Sequence, residues 1–235
     1  MAMRIYAIGD LHLSGSEDVD KPMDVFGEQW SGHRERLERR WRETVDHQDA
    51  VLVCGDLSWA MTLEEAAPDL EFLDALPGTK YLIRGNHDYW YSGPSKVRRA
   101  TGGSIRLVRF DAHVFGRAGI CGVRAWPWPG MEEYDEEDDA KNWRRAKMRL
   151  EMSLDALAEL EWDEAVAMFH YPPILPGQTS ELCGMIKEAG VTHCVYGHLH
   201  DEAIENAFEG AHDGVEYRCV SADAVDFTPI PVLEA

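Results

Sequence analysis

Five short apolar runs, each followed at once by polar side chains, constrain the fold of this chain most strongly. Each run is about five residues long and contains β-branched or aromatic residues, which predicts buried strands. The runs are 4–8, 50–54, 80–83, 165–169 and 191–196. Because loops held by a rigid sheet carry many catalytic and ligand residues, we expect the functional site at the ends of these strands.

Helical patterns lie between the runs. Leu37, Trp41 and Val45 recur every fourth residue, which predicts an amphipathic helix over 33–47. Further helices are predicted over 139–160, over 181–189 and between Thr62 and Pro77. Additional strands are predicted at 105–110, 113–116, 120–125, 203–208 and 215–221. Early alternation of strands and helices, followed by a strand-rich remainder, indicates an α/β (α+β) sandwich with mixed sheets inside and helices outside.

Composition excludes several classes of partner. The chain has 235 residues, with 23 basic and 43 acidic side chains and a net charge of −20. Such a surface repels nucleic-acid backbones and anionic lipids, so we expect neither as a partner. No apolar run approaches the roughly 20 residues of a membrane-spanning helix. Five cysteines without close pairing, and a carboxylate as early as Asp10, favour a cytoplasmic location over secretion.

The polar residues after the five strands share one kind of chemistry. Carboxylate, amide oxygen and imidazole are ligands that suit divalent manganese, iron and zinc. They occur as Asp10-x-His12, Asp56, Asn86-His87, His170 and His198-x-His200. No single strand end can supply a six-coordinate ion, whereas five loops converging on one sheet edge can supply two.

The ordered set of blocks resembles the calcineurin-like metallophosphoesterases. That family carries Asp-x-His, Gly-Asp, Gly-Asn-His-Asp/Glu, a lone His and Gly-His-x-His, and every block is present here between residues 10 and 200. The resemblance implies a single domain over 1–235 with a four-layer α/β/β/α sandwich around two central mixed β-sheets. It implies one metal at Asp10, His12, Asp56 and His200, and a second at Asp56, Asn86, His170 and His198.

The resemblance also implies the reaction. Two divalent cations, as Mn²⁺, Fe²⁺/Fe³⁺ or Zn²⁺, would hold a small phosphorylated substrate and a bridging hydroxide that attacks phosphorus in line. His87, which is not a ligand in the family, would be the catalytic histidine and general acid for the leaving group. The expected activity is hydrolysis of a small phosphomonoester or phosphodiester. Leaving-group specificity is expected in the loops 13–32, 89–104 and 124–140.

Two alternatives belong to other classes of protein. A non-catalytic scaffold on the same fold would lose ligands or the catalytic histidine, and this chain retains them all. A nuclease is disfavoured by the net charge of −20. A protein serine/threonine phosphatase is also disfavoured, because the Gly-Asp-x-Val-Asp-Arg-Gly motif of those enzymes is replaced by Gly55-Asp-Leu-Ser-Trp-Ala60.

Three smaller expectations concern residues beside the blocks. Asp88 is a candidate to orient His87 or a metal ligand. Arg84, at a strand end, is expected to pair with a nearby carboxylate rather than to contact substrate. The aromatic residues close to the blocks are expected to be ordinary packing rather than a pocket wall: Trp59, Tyr89, Trp90, Tyr91, Trp126 and Trp128.

Overall fold

Two large β-sheets form the centre of the protein in the computed structural model, which describes residues 3–16, 19, 21–101 and 104–235. The first sheet has the spatial order β13-β1-β2-β3-β4. The three pairings among β1, β2, β3 and β4 are parallel, whereas β13 runs antiparallel to β1 at the edge. Its strands are β1 (Arg4–Ile8), β2 (Ala50–Val53), β3 (Thr79–Leu82), β4 (Ile105–Leu107) and β13 (Ile230–Glu234).

The second sheet has the spatial order β11-β12-β10-β7-β6-β5. The four inner strands are parallel and the two edge strands antiparallel. Its strands are β5 (His113–Phe115), β6 (Ala118–Val123), β7 (Glu164–Phe169), β10 (His193–Tyr196), β11 (Gly210–His212) and β12 (Val215–Cys219). A separate two-stranded ribbon joins β8 (Ile174–Leu175) to β9 (Gln178–Thr179).

Helices cover the outer faces of the two sheets. Described α-helices are α1 (His33–Thr44), α2 (Ala67–Ala75), α3 (Pro94–Ala100), α4 (Glu136–Ala158) and α5 (Glu181–Glu188). Shorter 3-10 helices span Met23–Phe26, Glu28–Trp30 and Asp201–Asn206. Asp135 caps α4 by accepting hydrogen bonds from two backbone N–H groups of its first turn, so the acidic start of that helix is stabilised.

Successive side chains of a strand point to opposite faces of its sheet, and the apolar ones pack into three cores. In β1, Tyr6 and Ile8 pack with Leu37 and Trp41 of α1, whereas the intervening Ala7 faces the second sheet. A second core lies between the second sheet and the helices α4 and α5, and a third lies between the two sheets. Three cores separate four layers, which confirms the predicted α/β/β/α sandwich.

Several elements differ from the sequence-based expectations. The predicted strand at 203–208 is wrong, because Asp201–Asn206 forms a 3-10 helix closed by local backbone hydrogen bonds. The segment 14–32, expected as a loop, contains two 3-10 helices, and its residues 17, 18 and 20 lie outside the described residues. The elements α3, β8, β9, β11 and β13 were not expected from the sequence.

The topology brings the polar residue blocks to one edge. The strands β1, β2 and β3 of the first sheet and β7 and β10 of the second are parallel within their sheets, and each is followed directly by one block. No helix among the described residues is both long and apolar enough to cross a lipid bilayer.

Candidate metal centre

All seven residues predicted to bind metal meet where the two sheets end. Five of them form two groups with one residue in common. Within each group the potential ligand atoms all lie within 4.8 Å of one another, and each group joins residues that are distant in sequence. One group is Asp10, His12 and His200, and the other is Asp10, Asp56 and His170. The first sheet supplies both carboxylates, whereas the second sheet supplies His170 and His200, so the centre spans both sheets.

Asp56 belongs to the second group and also lies close to His12 of the first. Its Oδ2 lies 4.0 Å from His12 Nε2 and 3.6 Å from His170 Nε2. Asp10 belongs to both groups. Its Oδ1 lies 3.7 Å from His170 Nδ1 and 3.6 Å from His200 Nε2. The geometry therefore places two buried carboxylates between the groups, where the resemblance implies Asp56 alone as the bridge.

Asn86 completes the second group. Its side-chain oxygen contacts His170 Nε2 and lies 3.1 Å from His198 Nδ1. The backbone N–H of His198 donates to both carboxylate oxygens of Asp10, at 3.1 and 3.0 Å. The side chains of Asn86, His170 and His198 therefore form one cluster beside the two carboxylates.

The protonation of His170 shows that this cluster fits a cation. Its Nδ1 lies 3.0 Å from the backbone oxygen of Cys54, which can only accept, so Nδ1 carries the proton. Burial lowers the pKa of His170 to about 3, so the ring is neutral and Nε2 has a free lone pair. That lone pair faces the side-chain oxygen of Asn86. Two acceptors that face each other in a buried site are the arrangement a shared cation satisfies.

His200 is held in a similar way by a residue that the sequence analysis missed. Asp223 Oδ1 lies 2.8 Å from His200 Nδ1, and this bond turns Nε2 towards His12 Nε2, 3.3 Å away. Burial opposes the charged form, but hydrogen bonds to Asp10 and Asp223 outweigh it and raise the pKa of His200 to about 10. Asp223 follows β12 at the same sheet edge, a position that no motif block marks.

Asp56 shows most clearly that the site fits a cation. Asp10 and Asp56 are 0% and 2% exposed, and burial together with the charges of Asp88 and Asp10 raises the pKa of Asp56. The buried Nδ1 of His12 has no hydrogen-bond partner among the described residues. Divalent cations would neutralise the carboxylates, and the mixture of carboxylate, amide oxygen and imidazole suits manganese, iron or zinc.

Four residues of the centre have an unusual backbone conformation. Asp10, His12, Asp56 and His198 adopt left-handed backbone conformations, with φ of 57°, 46°, 49° and 75°. Such non-glycine conformations cost about 1–3 kcal/mol each and cluster at functional sites. Gly197 is required by close approach, because a Cβ there would collide with the Asp10 carboxylate.

Asp88 shapes the loop that carries Asp56. Its fully buried carboxylate accepts hydrogen bonds from four backbone N–H groups and one indole, those of Asp56, Leu57, Ser58, Gly85 and Trp90. The hypothesis that Asp88 orients a ligand therefore matches its contacts with the Asp56 loop, whereas none of these bonds involves the His87 ring.

His87 lies beside the two groups and belongs to neither of them. Its backbone N–H donates to Asp56 Oδ1 at 2.8 Å, and its ring centroid lies 5.9 Å from that of His12 and 4.5 Å from that of Trp59. The ring is half-buried, and burial lowers its pKa. Its position leaves both ring nitrogens outside the clusters of ligand atoms described above.

A pocket of about 220 Å³ opens on the centre next to His87. Its apolar wall consists of Met23, Phe26, Trp30 and Trp59. Trp59 stacks on His12 with ring centroids 4.7 Å apart, so this residue lines the site rather than only packing in a core. Trp30, which the sequence analysis did not single out, lies 5.8 Å from His12 between ring centroids.

Solved structures share the fold at low sequence identity. A phosphopantetheinyl hydrolase from Mycobacterium tuberculosis matches with a TM-score of 0.62 and 17% identity, covering 94% of this chain and 89% of that one. A Thermus thermophilus protein matches with a TM-score of 0.55 and 17% identity, covering 85% and 83%. A protein of unknown function from Aquifex aeolicus matches with a TM-score of 0.50 and 15% identity, covering 97% and 95%.

Curated proteins provide no match to the chain. The family model for calcineurin-like phosphoesterases, in contrast, matches residues 3–202 and so includes every polar block of the centre. A match over most of the sequence, together with the two-sheet sandwich and the clustered donors, leads to one conclusion: the chain belongs to the calcineurin-like phosphoesterase family and is a phosphoester hydrolase.

Proposed function

We propose that this protein hydrolyses a small phosphomonoester or phosphodiester with the aid of two divalent cations and of His87 as general acid. One observation carries the proposal: seven donor residues from five strand ends converge in two adjoining groups, and His87 stands beside them. The match to the calcineurin-like phosphoesterase family supports the same reaction.

The proposed ligand sets are those that the family resemblance implies, and each includes residues of one of the two groups. One cation is held by Asp10, His12, Asp56 and His200, and the other by Asp56, Asn86, His170 and His198. When bound, such a pair of cations neutralises the phosphoryl group and activates a water for in-line attack. Manganese is our first choice for both sites, since carboxylate, amide oxygen and imidazole donors all suit it.

His87 acts on the leaving group. Its backbone is held by Asp56, its ring contacts Trp59, and its nitrogens are outside both ligand groups, so the imidazole can give a proton to a departing oxygen. Met23, Phe26, Trp30 and Trp59 form an apolar wall beside it. This pocket supports a leaving group with an apolar or aromatic surface.

The proposed partner is a small phosphorylated molecule rather than a polyanion. A net charge of −20 opposes long nucleic acids, whereas the two cations make the centre locally attractive to one phosphate. All five cysteines are free and buried, which supports the proposed cytoplasmic location.

A paired assay tests this function. Purified protein is given para-nitrophenyl phosphate and bis-para-nitrophenyl phosphate, each with Mn²⁺ and after thorough chelation. We expect turnover with Mn²⁺, loss on chelation and recovery on adding the metal back, and the ratio of the two rates identifies the preferred ester. Turnover that survives chelation contradicts the metal mechanism, and inactivity of the Mn²⁺-loaded protein on both esters favours the scaffold alternative.

A further inference from the structure

A second cleft near the metal centre is lined by four arginines, which we call the arginine cleft: Arg84, Arg109, Arg124 and Arg149. Its volume is about 340 Å³. The first three residues follow β3, β4 and β6, and the fourth lies on α4, so both sheets and a helix contribute. Four cations in one cleft are notable in a chain whose net charge is −20.

The positive charges of these arginines are not balanced by ion pairs within the described residues. Among the described residues, none of the four forms an ion pair with a carboxylate, whereas the nearby Arg98 pairs with Asp111 at 3.2 Å. Arg84, expected to pair with a carboxylate, instead donates from Nε to the backbone oxygen of Asp88 at 3.1 Å. Burial and the charge of Arg84 lower the pKa of Arg124 to about 10, so the guanidinium stays charged near neutral pH beside another cation.

Aromatic rings hold the guanidinium groups in place. Arg124 lies over Trp126 at 4.3 Å from the ring centroid, and Arg109 and Arg149 lie over Phe110 at 4.5 and 5.3 Å. Stacking restricts a planar guanidinium while leaving its edge free to donate hydrogen bonds. The cleft is therefore lined by positioned guanidinium groups, none of which is paired with a carboxylate in the described part of the chain.

Tyr171 connects the arginine cleft to the metal centre. Tyr171 donates from its backbone N–H to the backbone oxygen of Arg124 at 3.1 Å. The Tyr171 ring lies 6.1 Å from the Trp126 ring of the cleft and 4.2 Å from the His198 ring of the centre, measured between centroids. Arg84 also stands two residues before Asn86, and the charge of Asp56 acts on Arg124, so the cleft lies close to the centre.

We propose that the arginine cleft binds a second phosphate of the same substrate molecule whose phosphoester is hydrolysed at the metal centre. The inference rests on the proposed function and narrows its substrate class to small compounds with two phosphate groups. Guanidinium edges match phosphate oxygens in paired hydrogen bonds, and such charge-assisted bonds are stronger than neutral ones. Specificity would then come from the distance between the two phosphates.

The first experiment tests the cleft without any turnover. Binding of inorganic pyrophosphate to the metal-free protein is measured by calorimetry, because without cations the carboxylates of the centre repel this anion. We expect saturable binding that is weakened about tenfold or more by R149Q and by R109Q. Both side chains are exposed, so these variants should fold. The matched control is R145Q, an exposed arginine of the same helix that does not line the cleft.

The second experiment asks whether the anion is part of the substrate. Hydrolysis of para-nitrophenyl phosphate with excess Mn²⁺ is inhibited by alkane bisphosphonates of increasing length and by monophosphonates of equal length. We expect one bisphosphonate length to compete at least about tenfold better than its monophosphonate, and R149Q to remove that advantage.

The outcomes distinguish failure of the arginine cleft proposal from failure of the proposed function. Absence of saturable pyrophosphate binding, or equal binding by wild type, R149Q and R109Q, overturns the arginine cleft as an anion site. Arginine-dependent binding without any bisphosphonate advantage overturns the substrate assignment and indicates a site for a free anion. A protein that binds pyrophosphate through the cleft yet has no Mn²⁺-dependent turnover contradicts the proposed function alone.

Discussion

His200 and Asp223 form a carboxylate–imidazole pair in which Nδ1 and Oδ1 are 2.8 Å apart. The pair turns Nε2 of His200 towards Asp10 and His12, which is how residues behind a metal ligand usually orient it. The motif blocks contain all seven predicted ligands that the structure brings together, but Asp223 belongs to no block and lies 23 residues beyond His200. Only the packing of the segment after β12 against the centre identifies it.

Replacing Asp223 by Asn tests this pair. We expect D223N to weaken Mn²⁺ binding by about 10–100-fold, because the His200 ring loses the negative charge that orients it and increases its basicity. Titration calorimetry measures the affinity. The matched control is D213N, which alters a surface carboxylate that pairs with Lys187. Unchanged affinity in D223N contradicts the role of the pair.

Replacing His87 by Ala tests the general acid. We expect H87A to retain its metal content and to lose about 10²–10⁴-fold in turnover of phenyl phosphate, because phenolate is a poor leaving group that needs a proton. The loss on para-nitrophenyl phosphate should be much smaller. H47A, at an exposed histidine, is the control. Equal losses on both esters argue against proton donation by His87.

At the scale of elements, the strands next to the polar blocks were predictable and the short or irregular elements were not. β13 contains Pro231, which interrupts a strand pattern but is tolerated at a sheet edge. α3 has 7 residues, too few for a helical period to be recognised. The segment 203–208 has two apolar pairs, Ala203-Ile204 and Ala207-Phe208, around two polar residues. Its backbone bonds are local, and such a short apolar pattern cannot show whether a partner strand is present.

Lys80 links two elements and makes stability depend on pH. This buried residue of β3 donates from Nζ to the backbone oxygens of Asp74 and Leu76, at 3.1 and 2.7 Å, at the C-terminal end of α2. Burial lowers the pKa of Lys80 from 10.5 to about 8. At pH values between these two pKa values, Lys80 holds more protons in the unfolded chain than in the folded one. Lys80 therefore makes folding more favourable as pH rises through this range.

The variant K80M should lack that contribution. We expect the unfolding free energy of wild type, relative to that of K80M, to increase between neutral pH and about pH 10. Urea unfolding followed by circular dichroism at both pH values measures the difference. The comparison with K80M cancels other groups that titrate in this range. An identical pH response of the two proteins would show that Lys80 does not titrate between the folded and unfolded values given above.

At the scale of the whole molecule, the metal centre connects two sheets that otherwise meet through an apolar core. That core contains side chains from both, including Ile5, Leu52, Val166 and Val195. Two buried carboxylates and several neutral imidazoles at the sheet ends gain a positive partner when cations bind. The prediction of a single domain over 1–235 stays a prediction, which one cooperative unfolding transition would support.

Metal loading should therefore raise the melting temperature. At a free Mn²⁺ concentration 100 times Kd, binding to the folded state alone adds about 2.7 kcal/mol to the unfolding free energy. For a chain of this size that corresponds to a rise in Tm of about 5–10 °C. Calorimetry with Mn²⁺ and with chelator measures it, and D56N should show a smaller rise because a shared carboxylate charge is lost. Identical Tm values with and without Mn²⁺ would contradict selective binding to the folded chain.

The division of the predicted ligands between two sheets has a consequence for misassembled molecules. Neither sheet alone brings together the donors of either group, because His170 and His200 come from one sheet and Asp10 from the other. If cations bind there as proposed, a molecule whose sheets are mispaired would lack both complete ligand groups. Metal loading, and with it the proposed activity, would then require correct assembly of the two sheets.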